Sequence, residues 1–329
     1  MGVSSSKRDN AISAHIEIIT PAPAGSLHGN RITALRWQGF LEKCGYAVHV
    51  SKSWTEKPID LLIALHAFRS HQSIASFKKT HPDKPIILIM TGTDLYRDMP
   101  LHPEVLQSMR IADAIVVLQS AALDLIPADL RKKLQVIYQS VKPIHRKPLL
   151  KRNFLVIVIG HLRPEKDPFC IVRSLAFTLP ESKLRIMHLG NAMSPEMRQQ
   201  ALTYDKIVDR YQWLGELSRA KTLQILSRSH LMVISSIMEG GAHVVSEAIA
   251  IGVPVIASDI PGNRGLLGEH YPGYFPVGNE RALAQLLQKA ESNPSFYQSL
   301  ERHIQARQKY VKPESELRSI KALAKRLLS

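Results

Sequence analysis

The sequence predicts an α/β protein built from two doubly wound parallel sheets. Three observations carry this prediction. Short apolar runs recur along the chain with helix-length segments between them, the pattern of strands joined by crossovers. The rhythm breaks at 142–152, where Pro143 and Pro148 mark a linker, and then begins again. At 329 residues the chain is long for one core and comfortable for two.

Each element follows in order. The run 14–20 reads as a strand, succeeded by a loop rich in Pro and Gly and a helix over about 30–44. Further short strands are expected at 48–51, 61–65, 86–91 and 114–118. After the linker, candidate strands lie at 154–159, 184–189, 211–214, 231–235, 255–257 and 273–275. The tail from Pro294 has helical periodicity, with Leu300, Ile304, Leu317, Ile320 and Leu323 as its buried positions. The expected organisation is therefore two Rossmann-like domains facing a cleft, 1–148 and 149–293. A helical tail, 294–329, is expected to pack back toward the first.

Apolar residues at 45% and charged residues at 22% are ordinary for a globular protein. Cys44 and Cys170 lie far apart without metal spacing, so neither a disulfide framework nor a zinc site is indicated, and a reducing cytoplasmic setting is expected. No apolar run reaches the roughly 18–20 residues that span a bilayer. Met1-Gly2-Val3-Ser4-Ser5-Ser6 matches the loose myristoylation pattern, but the first ten residues are too polar for a signal peptide. The formal net charge of +15 admits nucleic acid, anionic lipid or small phosphorylated substrates. The basic residues are spread widely, with local density only at 131–152 and in the C-terminal helix, and lack interleaved aromatics, which argues against nucleic acid. The 131–152 segment leaves a peripheral membrane contact as an alternative, though stable membrane association is not expected. Phosphate-bearing small molecules fit best.

The most informative segment is Met238-Glu239-Gly240-Gly241-Ala242-His243-Val244-Val245-Ser246-Glu247-Ala248, directly after the strand-like run 231–235. Adjacent glycines allow close backbone approach to a ligand, and their amides with those of Ala242 and the following helix start can hold an anion. Glu239 and Glu247 on either side can accept hydrogen bonds from sugar hydroxyls. The combination suits a nucleotide sugar. Gly160-His161-Leu162-Arg163-Pro164-Glu165-Lys166-Asp167 follows another strand and puts Arg163 and Lys166 where a diphosphate needs cations. No Asp-x-Asp pair exists, so a metal-bridged diphosphate is not expected and cations must stabilise the leaving group instead. Arg210-Tyr211-Gln212-Trp213-Leu214-Gly215-Glu216 offers backbone groups and an aromatic wall to a nucleobase, though Trp213 reads equally well as core.

In the first half, Gly25, Asn30 and Arg31 belong to a loop that could form an anion nest, with Asn30 as helix N-cap; an ordinary strand-to-helix turn explains it equally well. The loop lacks the Gly-x-Gly-x-x-Gly fingerprint, which disfavours a nicotinamide cofactor. His66 and Arg69 sit at the carboxyl end of the third strand, and Thr91, Thr93 and Asp94 at that of the next, with Thr93 or Asp94 also reading as a helix cap.

Together these pieces resemble the retaining GT-B glycosyltransferases of the family 4 type. In that family a Lys and an Arg hold the donor diphosphate, the first Glu contacts donor sugar hydroxyls and the second contacts ribose. The resemblance maps these roles onto Lys166, Glu239 and Glu247. Where the family has Arg after the glycine this chain has His161, with Arg163 two residues on, so either can meet phosphate. A narrower likeness is to the selenosugar synthases of selenoneine biosynthesis. It is carried by the stretches 66–70, 91–98, 160–169, 210–216 and 238–248, and by Gly262-Asn263-Arg264-Gly265-Leu266-Leu267-Gly268 with Tyr271-Pro272-Gly273-Tyr274-Phe275-Pro276.

That likeness implies transfer of a sugar, N-acetylglucosamine being the expected one, from a UDP-sugar to selenophosphate, with UDP and phosphate released and no cofactor or metal required. His66, Arg69, Thr91, Thr93 and Asp94 would serve the acceptor side. Arg163, Lys166, Glu239, Gly240, Gly241 and Glu247 would serve the donor. Selenophosphate brings its own nucleophile, so no strong base is needed. Two alternatives stand beside this reading. One is a conventional O-glycosyltransferase using a UDP- or GDP-sugar with a lipid or small metabolite; the other is a non-catalytic sugar-nucleotide-binding protein.

Overall fold

Parallel strands buried on both faces read as unbroken apolar runs, and Leu61–Leu65 is buried at all five positions. The computed structural model describes residues 14–26, 29–149 and 152–329. The amino-terminal acylation pattern, with Leu27 and His28 of the first loop, lies outside them.

The first half runs β1 (His15–Ile19), α1 (Gly29–Lys43), β2 (Ala47–Ser51), β3 (Leu61–Leu65), α2 (His71–Thr80), β4 (Ile86–Ile89), α3 (Pro103–Ile111), β5 (Ala114–Val117) and β6 (Leu134–Val136). Its sheet has the order β2-β1-β3-β4-β5-β6. β1 pairs in parallel with β2 and β3, and β3 with β4. The second half runs β7 (Phe154–Ile159), α4 (Cys170–Ser174), β8 (Leu184–Leu189), α5 (Pro195–Ile207), β9 (Tyr211–Trp213), α6 (Arg219–Leu226) and β10 (Leu231–Ile234). It continues through α7 (His243–Ile251), β11 (Val255–Ser258), α8 (Pro261–Leu267), β12 (Tyr274–Phe275), α9 (Glu280–Ser292), α10 (Pro294–Arg307) and α11 (Pro313–Leu328). Its sheet order is β12-β11-β10-β7-β8-β9, which reverses direction between β7 and β10. Both sheets are Rossmann-like.

The chain divides into two compact units. One holds β1 to β4, Glu104–Ile115 and Leu317–Ser329; the other holds Met90–Pro103 and Val116–Glu316. The core of the second unit is built on Val156, Ile157, Met232, Val255 and Ile256, with Val245 and Ala248 of α7 packed among them.

Several local expectations shift. α1 begins at Gly29, so Asn30 is its second residue and not its N-cap. Strands end before their apolar runs do, because Met90-Thr91, Leu118 and Ser235 already turn into loops. β6 was not expected; Ile137 just beyond it donates its N–H to Val117 O at 3.0 Å. In the tail, Leu300, Ile304, Ile320 and Leu323 are buried. Leu317 is only half-buried, while its neighbour Glu316 is 2% exposed. Ser140 N donates to the Glu316 carboxylate at 2.7 Å. Among the described residues no helix is long and apolar enough to cross a membrane.

Candidate active site

In an open parallel sheet, ligands bind beyond the carboxyl ends of the strands where the strand order reverses. In the second sheet those strands are β7 and β10. β7 leads into 160–167 and β10 into 235–242, the two segments with the strongest chemical signal. Hydrogen bonds lace them together. Ser235 Oγ donates to the carbonyls of Lys166 (3.1 Å) and Asp167 (2.8 Å), and Ile237 N donates to Glu165 O at 2.9 Å. Asp167 adopts a left-handed conformation (φ 38°), and its carboxylate receives Arg173 Nη2 at 2.9 Å.

This turn delivers the Lys166 ammonium to Glu239 Oε1, where the two form an ion pair. Glu239 is buried, and Ser236 Oγ donates to the same oxygen at 2.6 Å. The Ser-x-x-Glu spacing resembles a capping box, although here the two side chains bond each other. The loop after β4 uses a related brace. Asp94, fully buried, accepts from Thr91 N at 2.6 Å and Thr91 Oγ1 at 2.9 Å. It opens a π-helical turn, Asp94–Asp98, a geometry that frequently marks functional sites. Thr93 precedes that turn without a side-chain capping bond, so the cap expected at 93 or 94 is replaced by the Asp94 brace.

These two braced loops touch. A Cβ on Gly240 would collide with the backbone N and Cα of Gly92, and one on Gly92 would lie 2.7 Å from Gly240 N. Only glycine at both positions permits the approach. Gly241 is similarly confined, with Leu118 Cβ 2.8 Å from where its own Cβ would stand, and Gln139 Nε2 donates to Gly241 O at 2.9 Å. With that carbonyl fixed, the amides of Gly240, Gly241 and Ala242 have no acceptor among the described residues. They precede α7, whose positive end adds to their field. Gly160 contrasts with them: nothing lies within 4 Å of a Cβ there, so its side-chain position is open, while its carbonyl packs closely on Gly190.

Glu247, on α7, is 5% exposed overall. Its Oε1 receives Arg219 Nη2 at 3.1 Å and lies 3.5 Å from His243 Nε2. Arg219 Nη2 also reaches that His243 nitrogen at 3.2 Å. The two carboxylates singled out in the sequence are thus each paired with a cation. His161 Nδ1 accepts from Asn191 N at 3.1 Å, whereas Arg163 is exposed with its guanidinium unpaired among the described residues.

Other groups set the surroundings. Trp213 is half-buried and its indole N–H donates to Gly190 O at 2.9 Å, so it is tied to the turn beyond β8 rather than free. Burial pushes the Tyr96 phenol up to about 12, and Gln119 Nε2 donates to its oxygen at 2.9 Å. Burial pushes His188 down to about 4, and its Nδ1 lies 3.0 Å from Tyr211 OH. A hydrogen bond to Asp98 raises the Arg97 guanidinium further above its ordinary value.

Gly25, Asn30, Arg31, His66 and Arg69 belong to the other unit. Gly25 forms an exposed turn with φ 77°. Arg31 has a shielded Nε without a hydrogen bond among the described residues. His66, 1% exposed, takes a left-handed conformation (φ 74°) at the end of β3, and its Nδ1 accepts the Arg69 amide at 3.3 Å. The Arg69 side chain is exposed. Sequence reasoning missed Ser236, Arg219, His243 and Gln139. Ser-x-x-Glu was a readable signal for the first, and the i,i+4 spacing of His243 and Glu247 on one helix for His243; nothing local in the sequence distinguishes Arg219 and Gln139.

The fold is that of the GT-B glycosyltransferases. It is shared with HepE from Anabaena, crystallised with UDP and glucose (TM-score 0.73, 15% identity, 95% of this chain and 100% of that one). A sucrose-phosphate synthase from Thermosynechococcus elongatus is equally similar (TM-score 0.76, 15% identity, 95% and 99%). Residues 141–309 match the family model described as glycosyl transferases group 1, about half of the chain, and the chain belongs to that family. Among curated relatives it is 29% identical over 132 residues to an Escherichia coli UDP-Gal:alpha-D-GlcNAc-diphosphoundecaprenol alpha-1,3-galactosyltransferase, covering 38% of this chain and 33% of that protein. The chain spans between a third and about two fifths of the length of the curated relatives it matches.

Proposed function

We propose that this chain is a glycosyltransferase that moves a sugar from a UDP-sugar to selenophosphate. The observation that carries the donor half is the meeting of Lys166, Glu239 and the apposed glycines at the reversal point of the second sheet. Lys166 and the unpaired Arg163 hold the diphosphate, and the amides of 240–242 add donors to it. Glu239 accepts hydrogen bonds from the sugar and Glu247 from the ribose. The HepE and E. coli names support UDP as the nucleotide.

The acceptor half rests on the resemblance of long sequence stretches to the selenosugar synthases. In the reaction the C1–O bond to UDP breaks and a Se–C1 bond forms, with the leaving oxygen taking the electron pair. Water then cleaves the Se–P bond, giving phosphate and a selenium-bearing sugar. Thr91, Thr93, Asp94, His66 and Arg69 serve this acceptor. Selenium arrives as a strong nucleophile, so positioning two anions and stabilising the departing diphosphate are the protein's tasks. Transfer to a hydroxyl of a lipid or small metabolite is the second reading, favoured by the galactosyltransferase relative.

One assay separates them. Purified protein is incubated with UDP-N-acetylglucosamine and either selenophosphate or hydroxyl acceptors, and products are read by mass spectrometry. A sugar carrying the selenium isotope pattern supports the proposal. UDP release only with hydroxyl acceptors overturns the selenium step, and no UDP binding at all overturns the donor reading. Glu239→Gln should abolish most turnover while the protein stays folded.

A further inference from the structure

We propose that Ser236 is a positioning residue that sets the Glu239 carboxylate for the donor sugar, anchored from behind by Ser258 and Asn263. This rests on the donor reading above and deepens it. Glu239 Oε1 receives two donors, Ser236 Oγ at 2.6 Å and the Lys166 ammonium. The donors differ in what a nucleotide sugar does to them. A diphosphate attracts the ammonium, which is mobile at the end of its stem. The Ser236 hydroxyl is 1% exposed and cannot follow. When Lys166 turns to phosphate, Ser236 alone keeps Oε1 in place and the carboxylate plane fixed, leaving Oε2 to accept from the sugar.

The serine is itself held. Ser258 Oγ in β11 donates to Ser236 O at 2.5 Å. Asn263 Nδ2, fully buried in α8, donates to Ser258 O (2.9 Å) and Ser258 Oγ (3.1 Å). Gly262 packs so closely on Glu239 that a Cβ there would strike the Glu239 carbonyl. The glutamate is thus fixed at its backbone by α8 and at its side chain by a chain of buried hydroxyl and amide groups. The donors of this buried polar chain are all paired, which ties its members to one geometry, while Asn263 Oδ1 has no hydrogen-bond partner among the described residues.

The test compares wild type with Ser236→Ala, Ser236→Thr and Ser236→Cys, reading thermal unfolding, affinity for UDP and for UDP-sugar by calorimetry, and turnover. Ser236→Ala should lower kcat about tenfold or more, the scale of one hydrogen bond to a charged group. UDP affinity should stay within about twofold, because UDP lacks the sugar, while the extra affinity that the sugar confers in wild type should shrink. Ser236→Thr keeps the hydroxyl and should restore turnover. A merely structural serine predicts parallel loss of UDP and UDP-sugar binding, and that outcome overturns the proposal, as does wild-type kcat in a folded Ser236→Ala protein. If the alanine variant unfolds, Ser236→Cys keeps the volume with a weak donor and must show the same kcat loss. Wild type that fails to bind UDP refutes the donor reading instead, so the two failures are distinguishable.

Discussion

Replacing Gly240 by alanine tests the apposition on which the candidate site depends. The added Cβ meets Gly92 N and Cα, and stands 2.8 Å from the carbonyl carbon of Thr91. Carbon atoms are comfortable at about 3.5 Å, so at least 3.5 − 2.8, or about 0.7 Å, of separation is needed, and the tighter Gly92 overlap demands more. All of these atoms are backbone, so no rotamer change relieves the overlap. Overpacking of this kind costs about 1–3 kcal/mol. A displacement near 1 Å of a catalytic loop costs on the order of a hundredfold in rate. Gly160→Ala is the control. Nothing lies within 4 Å of its Cβ and its φ is not positive, so folding should be unaffected. Its UDP affinity should nevertheless fall, because the new methyl projects into the open space beside the β7 turn. Thermal unfolding and UDP calorimetry on both variants decide the matter. A Gly240→Ala protein with wild-type melting and wild-type UDP affinity would show that the two loops do not touch as described.

Lys166→Ala leaves the Glu239 carboxylate, with a side chain 9% exposed, holding only the Ser236 hydroxyl. A loss of about 1–3 kcal/mol in denaturant unfolding is expected, together with weaker UDP binding; unchanged values for both would remove Lys166 from the diphosphate site. His188 predicts a pH effect. Its folded pKa of about 4 lies below the ordinary histidine value of 6.5, so between those values the unfolded chain binds the proton that the folded one refuses. Stability is therefore full above pH 6.5 and lost as pH falls toward 4, by about 2 kcal/mol between pH 7 and pH 5. A His188→Gln variant should lose that slope, and equal slopes in the two proteins would refute the assignment.

The sequence by itself determined the strand series, because two-sided burial in a parallel sheet demands uninterrupted apolar runs such as 61–65 and 231–234. It also located the chemistry. Gly240-Gly241 between Glu239 and Glu247, and the Lys166 turn, are local patterns whose residue types announce close approach and charge. Helix starts were less legible: α1 begins at Gly29, and Asn30, a good capping residue by type, lies within it. What only the tertiary structure decided is partnership. Gly92 and Gly240 are far apart in the chain, and neither reveals that it exists to let the other in. Arg219 reads as one more surface cation until α6 and α7 bring it to Glu247. Asn263 reads as a turn residue until β11 places Ser258 beneath it. Local patterns record what one segment needs. The pairing of segments follows from sheet order and packing, which are properties of the whole unit.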